Sequence, residues 1–121
     1  MDLSKMIATL RGRPDSARLG MIASHLGLVR GSSRDGRKVT SIDVKYDLDR
    51  LNRIVEEMKR LPGIVDIQVA TREGHLQIGD EILAVVVGGD IREHVFDALI
   101  QTVNRIKAEA SKKQETYGSG C

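Results

Sequence analysis

The stretch Ile82-Leu83-Ala84-Val85-Val86-Val87-Gly88-Gly89-Asp90-Ile91-Arg92-Glu93-His94-Val95-Phe96 decides the fold. Its first six residues are apolar without alternation, the pattern of a buried strand. Gly88-Gly89 is expected to end that strand. Asp90, with Glu93 three residues on, has the spacing of a capping box. A long helix is therefore expected from Ile91 to about Ala110, with Val95, Phe96, Leu99, Ile100, Val103 and Ile106 as its apolar stripe. A strand that hands directly to an amphipathic helix calls for a sheet with that helix packed on it.

Upstream, Val65, Ile67 and Val69 alternate with polar residues as a half-buried strand, and Gly74 and Gly79 flank a short strand near Leu76 to Ile78. Asp47 to Arg60 reads as a helix with the stripe Leu48, Leu51, Ile54, Val55 and Met58, stopped by Pro62-Gly63. Lys38 to Tyr46 alternates, with Thr40, Ile42, Val44 and Tyr46 on one face and Ser41, Asp43 and Lys45 on the other. Gly20 to Val29 is apolar on both alternating sets, as a strand covered on both faces would be. Gly27 inside it signals a bulge or a close backbone approach. Leu3, Met6, Ile7 and Leu10 give a short helix over 3–10, followed by a loop. From Ser111 the chain turns polar and Gly-rich, and 111–121 is expected to be a mobile tail. This order implies a single α+β domain over 1–121, mostly antiparallel sheet with helices on one side.

Composition narrows the function. At 121 residues and 40% hydrophobic content, one domain buries about two-thirds of its surface and needs no metal or disulfide staple. Nineteen basic against seventeen acidic residues give a net charge of +2, too mild to imply nucleic acid. Two Tyr, one Phe and no Trp make no base-stacking platform. The run Ile82 to Val87 is far short of a membrane span, and the N-terminus has no apolar leader segment, so a cytoplasmic protein without a membrane anchor is expected. Cys121 stands alone at the end of the chain, where a mobile terminus cannot activate a thiol. His25, His75 and His94 are too scattered for a ligand set.

Two basic clusters remain. Gly31 to Gly36 has the glycine spacing of a phosphate loop, but Arg37-Lys38 and then a strand follow where Lys-Ser/Thr and a helix are required. The loop still carries Arg30, Arg34, Arg37 and Lys38 around two glycines. Free amides and guanidinium forks suit an oxyanion, though composition alone favours a solvated hairpin loop. Lys107, Lys112 and Lys113 gather where the last helix ends, which the helix dipole alone would favour.

Together these spacings resemble the catalytic (large) subunit of molybdopterin synthase, also called molybdopterin-converting factor subunit 2. The likeness runs through Gly20-Met21, the strand to Leu26, Gly27-Leu28-Val29-Arg30 and Gly36-Arg37-Lys38-Val39. It continues in Arg72-Glu73-Gly74-His75-Leu76-Gln77-Ile78-Gly79-Asp80 and Ile91-Arg92-Glu93-His94-Val95-Phe96-Asp97-Ala98, and ends with Lys107 and Lys113-Gln114-Glu115. It spans roughly residues 18 to 115. The chain departs from the family pattern at Thr71 and Ile91, where histidines are usual, at Val44-Lys45, in the missing aromatic and proline before Lys113, and in the absence of a basic tail after Cys121.

The resemblance implies an α/β-hammerhead-like fold and a sulfurtransferase of molybdenum cofactor biosynthesis. Its substrate is precursor Z, a cyclic pyranopterin monophosphate. Sulfur arrives as a thiocarboxylate on the C-terminal Gly-Gly of a small ubiquitin-like subunit, and a homodimer of large subunits builds a heterotetramer. It assigns Lys107 and Lys113 as catalytic, and Arg30, Arg92, Arg37 and Lys112 as substrate or anion contacts. No cofactor and no metal are implied. The departures fit an alternative, a non-catalytic homologue that binds the partner alone. Arg92 and Lys107 lie fifteen residues apart, about 22 Å on a straight helix. They therefore serve opposite ends of one site, or the site draws on two subunits.

Overall fold

The computed structural model describes residues 1–118. The elements are α1 (Leu3–Arg11), a 3-10 turn (Ser16–Arg18), β1 (Met21–Leu28), β2 (Val39–Tyr46), α2 (Leu48–Met58), β3 (Ile64–Thr71), β4 (Gly74–Gln77), β5 (Glu81–Gly89), α3 (Arg92–Arg105), a π-helical turn (Ile106–Ala110) and β6 (Ser111–Tyr117). Two three-stranded sheets form, ordered β1-β5-β3 and β4-β2-β6. Every named strand pair is antiparallel, so the α+β class read from the sequence holds.

β5 is the centre of the larger sheet, and Leu83 to Val87 are almost wholly excluded from solvent. Leu83, Val85 and Val87 join the cluster built with Ile54, Val95, Ala98 and Ile106 from α2, α3 and the π turn. The opposite face is covered as well. A side chain on Gly88 would meet Leu10 of α1 and Leu19 at 2.6 Å, whereas one on Gly89 would meet the Gly63 carbonyl at 2.7 Å and Val95 at 2.8 Å. Consecutive strand residues face opposite ways. Helices thus cover both faces rather than the one side expected. The two glycines also carry the strand on instead of ending it, because their bare faces admit these close neighbours.

That extension undoes the expected capping box. The residue at the helix start is Ile91, with extended backbone and no side-chain cap. The Asp90 amide donates to the Gly63 carbonyl at 2.9 Å, and its carboxylate accepts from the Ile91 amide at 2.7 Å and holds His94 at 2.8 Å. Glu93 turns to Arg92 at 3.3 Å. The buried stripe of α3 also differs from the expected one. Val95, Ala98, Thr102 and Val103 are buried, while Phe96 and Ile100 are 50% and 60% exposed. Ala98 and Thr102 are small enough to bring the helix close to the sheet, and the Thr102 hydroxyl is satisfied by the Ala98 carbonyl at 2.7 Å.

α2 forms where expected: Asp47 accepts from the Arg50 amide at 3.0 Å, a cap of about 1 kcal/mol, and Leu51, Ile54, Val55 and Met58 are buried, but Leu48, expected in the same stripe, is the first helical residue and is 51% exposed. β1 is not covered on both faces. It is an edge strand, with Leu26 and Leu28 39% and 53% exposed. In β2 a register shift between Val39 and Ser41 turns Thr40 outward and Ser41 inward, reversing the alternation expected there.

The stretch expected to be a mobile tail is strand β6 over Ser111–Tyr117, paired with β2 from Tyr46 opposite Ser111 to Val39 opposite Tyr117. It is a polar edge strand held by its backbone, so no hydrophobic alternation betrays it. Residues 119–121, Cys121 among them, lie outside the described residues. No helix among the described residues is long and apolar enough to cross a membrane.

Candidate functional site

The two sheets meet at Tyr46 and Ile82, which pack against both hydrophobic clusters. The Tyr46 hydroxyl donates to the Ile82 carbonyl at 3.0 Å, tying β2 to β5. Burial, with Glu73 nearby, pushes that phenol up to about 12, so it stays a neutral structural donor. Beside this junction opens a cavity of about 580 Å³, within the size range of small-molecule sites. Its floor is apolar, from Val29, Ile42, Val44 and Leu83. Its charged wall comes from three places: Arg30 and Arg34 after β1, Lys107 in the π turn, and Lys113 with Glu115 on β6.

Each cation has a local reason for its position. Gly27 marks a true irregularity, since the β1–β5 register shifts between Gly27 and Leu28. The strand end is then held by the Val29 amide to the Asp80 carbonyl and the Gly79 amide to the Val29 carbonyl, both at 2.9 Å. Arg30 follows directly, its Nε donating to the Ser32 carbonyl at 2.8 Å, which leaves the rest of the guanidinium for a ligand. Lys107 sits where α3 widens into a π turn, a feature frequent at functional sites. That turn is braced from outside. Arg105 donates to Glu109 at 2.7 Å and to Glu57 of α2 at 2.5 Å, and Arg50 of α2 also pairs with Glu109. These arginines hold the Glu109 carboxyl down at about 2. Behind the turn, Ile106 is completely buried.

Strand parity separates the two neighbouring lysines. Lys113 is opposite Val44, which is buried, and Lys112 is opposite Lys45, which is exposed. Lys113 lines the cavity and also borders a shallow groove with Asp43 and Lys45, whereas Lys112 lines that groove and not the cavity. Arg37 is also outside. Its guanidinium stacks over the Tyr117 ring at 3.7 Å and pairs with Asp35 at 3.0 Å, bracing the loop against β6. Arg92 is far from the cavity in the first turn of α3, its side chain 78% exposed beside Glu93. Of the six residues singled out, the fold gathers Lys107, Lys113 and Arg30 and disperses Arg92, Arg37 and Lys112.

His25 joins this site, although its sequence context gave no ligand spacing. Its Nε2 is buried without a hydrogen-bond partner among the described residues. Burial lowers its pKa below the usual histidine value, and the charge of Lys107 lowers it further. A signal was present: His25 and Gly27 share a face of β1, and the glycine leaves room for the ring. His75 and His94 are instead hydrogen-bonded to Asp43 at 3.0 Å and Asp90 at 2.8 Å. Among the described residues no group of three or more His, Cys, Asp or Glu is placed to hold a metal ion. The arrangement is a half-open, cationic recess with an apolar floor, suited to a flat organic body carrying an anionic group.

Comparison with known proteins gives a consistent result. The family model described as MoaE protein matches residues 1–109. The molybdopterin synthase catalytic subunit of Ralstonia nicotianae is 32% identical over 122 aligned positions, covering 95% of this chain and 67% of that protein. An uncharacterized protein of Methanocaldococcus jannaschii is 33% identical over 94 positions, covering 74% of this chain and 79% of its own. Among solved structures, molybdopterin cofactor biosynthesis protein E from Burkholderia multivorans has a TM-score of 0.76 at 24% identity, over 100% of this chain and 87% of that one. The complex of subunits 1 and 2 of molybdopterin-converting factor from Helicobacter pylori gives 0.69 at 15% identity, over 98% and 85%. At these identities the two solved structures bear on the fold.

Proposed function

Since the chain belongs to the MoaE protein family of molybdenum cofactor biosynthesis, we propose that it is the sulfur-transferring subunit of a molybdopterin synthase. In this reading it accepts sulfur from the C-terminal Gly-Gly thiocarboxylate of a small ubiquitin-like partner and delivers it to precursor Z. The observation that supports it is the convergence of Lys107, Lys113 and Arg30 on one cavity of suitable size.

The chemistry suits those groups. Phosphate and thiocarboxylate are both anions, and an apolar floor strengthens their attraction to fixed cations. Arg30 holds the phosphate through its free guanidinium N–H groups. Lys107 orients the thiocarboxylate and moves a proton as sulfur adds to the pterin. Lys113, on the adjoining strand, offsets the charge that builds up on the substrate. Arg92 cannot reach the cavity of its own chain. It serves, in this proposal, from a second copy in a homodimer.

A reconstituted reaction tests this. With thiocarboxylated partner and precursor Z, the chain is expected to form molybdopterin, and Lys107→Ala to slow it about 100-fold or more without lowering the unfolding temperature. Parent-like turnover by that variant would remove the assignment. One observation favours a second reading, in which the chain binds the partner without turnover: Ile91, 49% exposed, stands in the place of the family's usual histidine. Capture of the Gly-Gly partner with no product would select it.

A further inference from the structure

The cavity contains one polar group to which neither the fold nor the proposed chemistry gives a task. The His25 ring lies against Gly27 and Ile82: a side chain on Gly27 would come within 3.2 Å of both His25 Nε2 and Ile82 Cγ2. Nε2 is out of contact with water and has no protein partner among the described residues. An unpaired buried polar atom costs about 1–3 kcal/mol, so its persistence in a site wall calls for a use.

The groups around it determine that use. Arg30 and Arg34 face the cavity from the loop after β1, Lys107 from the π turn and Lys113 from β6. Glu115 on β6 is the carboxylate of the lining. β2 contributes Tyr46, neutral and bonded to the Ile82 carbonyl, and β5 contributes the apolar Ile82 and Leu83. Burial first, and then the charge of Lys107, shift the imidazole toward its uncharged form. An entering dianion reverses the local field at the ring, which lines the cavity beside Lys107.

We infer that His25 couples anion binding to protonation: a phosphate monoester entering the cavity draws one proton from solvent onto the His25 imidazole, whose positive charge then offsets that of the phosphate. The proton returns to solvent when the ester leaves, so charge and atoms balance. This rests on reading the cavity as the phosphate site. It adds that the site is tuned by pH through a residue outside the lysine and arginine set. Binding must then tighten as pH falls, because the bound form holds the extra proton.

Methyl phosphate is the probe, and the full chain in solution is the sample. The three histidine ring protons are followed by NMR through a pH titration, with and without saturating methyl phosphate. The His25 midpoint is expected to rise by about one unit or more, with His75 and His94, which do not line the cavity, as internal references. Parent affinity is expected to climb about tenfold across that window relative to His25→Phe, which keeps a flat ring but cannot titrate. His25→Gln, able to hydrogen-bond but not to titrate, is expected to lose the same pH dependence. Binding with an unmoved His25 midpoint overturns the proton coupling and leaves the phosphate site standing. Failure of methyl phosphate to bind the parent, His25→Phe and His25→Gln alike overturns both.

Discussion

The two ends of α3 are built on opposite plans. At the N-terminal end, packing is so close that side chains are excluded: Gly89 faces the Gly63 carbonyl and Val95 at less than 3 Å from where a Cβ would stand. Asp90 closes this end through the Gly63 carbonyl and His94, and the hydrogen bond from His94 holds its carboxyl below the usual carboxylate range. At the C-terminal end the helix widens into a π turn, braced outside by Arg50, Arg105, Glu57 and Glu109 and open inside to the cavity. The lesson is that a rigid frame and an open recess share one helix. The cation at the closed end, Arg92, is a surface residue of the single chain, and the cation at the open end, Lys107, is a cavity residue.

Perturbing the two ends separately is the way to break this contrast. The largest effect is expected from Gly89→Ala, whose Cβ must displace backbone and Val95. It should cost about 3 kcal/mol in denaturant unfolding, the upper range for overpacking, with product formation per folded molecule unchanged. A matching fall in specific activity would mean the closed end is not merely a frame. Next comes the pair at the open end. Lys113→Ala should slow turnover about tenfold, equal to about 1.4 kcal/mol, whereas Lys112→Ala should stay within about twofold, and neither should alter the unfolding temperature. Equal losses from the two lysines would contradict the strand parity on which the cavity assignment depends.

The smallest effect concerns the brace. Glu109 titrates lower in the folded chain, at about 2, than the ordinary 4.5. Its contribution to stability is therefore complete above pH 4.5 and is lost as pH falls toward 2. Glu109→Gln should unfold more readily than the parent at pH 7, and the gap should close steadily over that acid range. A gap independent of pH would show that the ion pairs do not secure the π turn.

Much of the frame was legible because burial leaves a periodic trace. β5, α2 and the lysines of β6 are visible as runs, stripes and charge. Failures came where backbone, not side-chain hydrophobicity, decided the structure. Gly88 and Gly89 read as a stop but extend a strand, because a bare face in a crowded core is an attraction for neighbours. Ser111–Tyr117 read as a tail because a polar edge strand carries no apolar rhythm. Phe96 and Ile100 read as core because they are hydrophobic, yet the close approach of α3 needed Ala98 and Thr102 instead.

The candidate site divides along the same line. Arg30, Lys107 and Lys113 could be named from motif spacing, and so could Arg92, Arg37 and Lys112; nothing in one dimension separates the two sets. For His25 the sequence offered only the glycine two residues away; the lysine eighty-two positions along the chain is brought beside it by the fold alone.

From its order of residues alone, the chain fixed the succession of elements as far as α3, the α+β class, the family likeness and the chemical character of its cations. Those are properties of local periodicity and composition. Which cations share a volume was settled by the tertiary structure, through the pairing of β6 with β2, the bulge after Gly27 and the π turn at Lys107. Each of these shifts a side chain from one face to another by a single residue, and such a shift is set by backbone hydrogen bonds between distant segments.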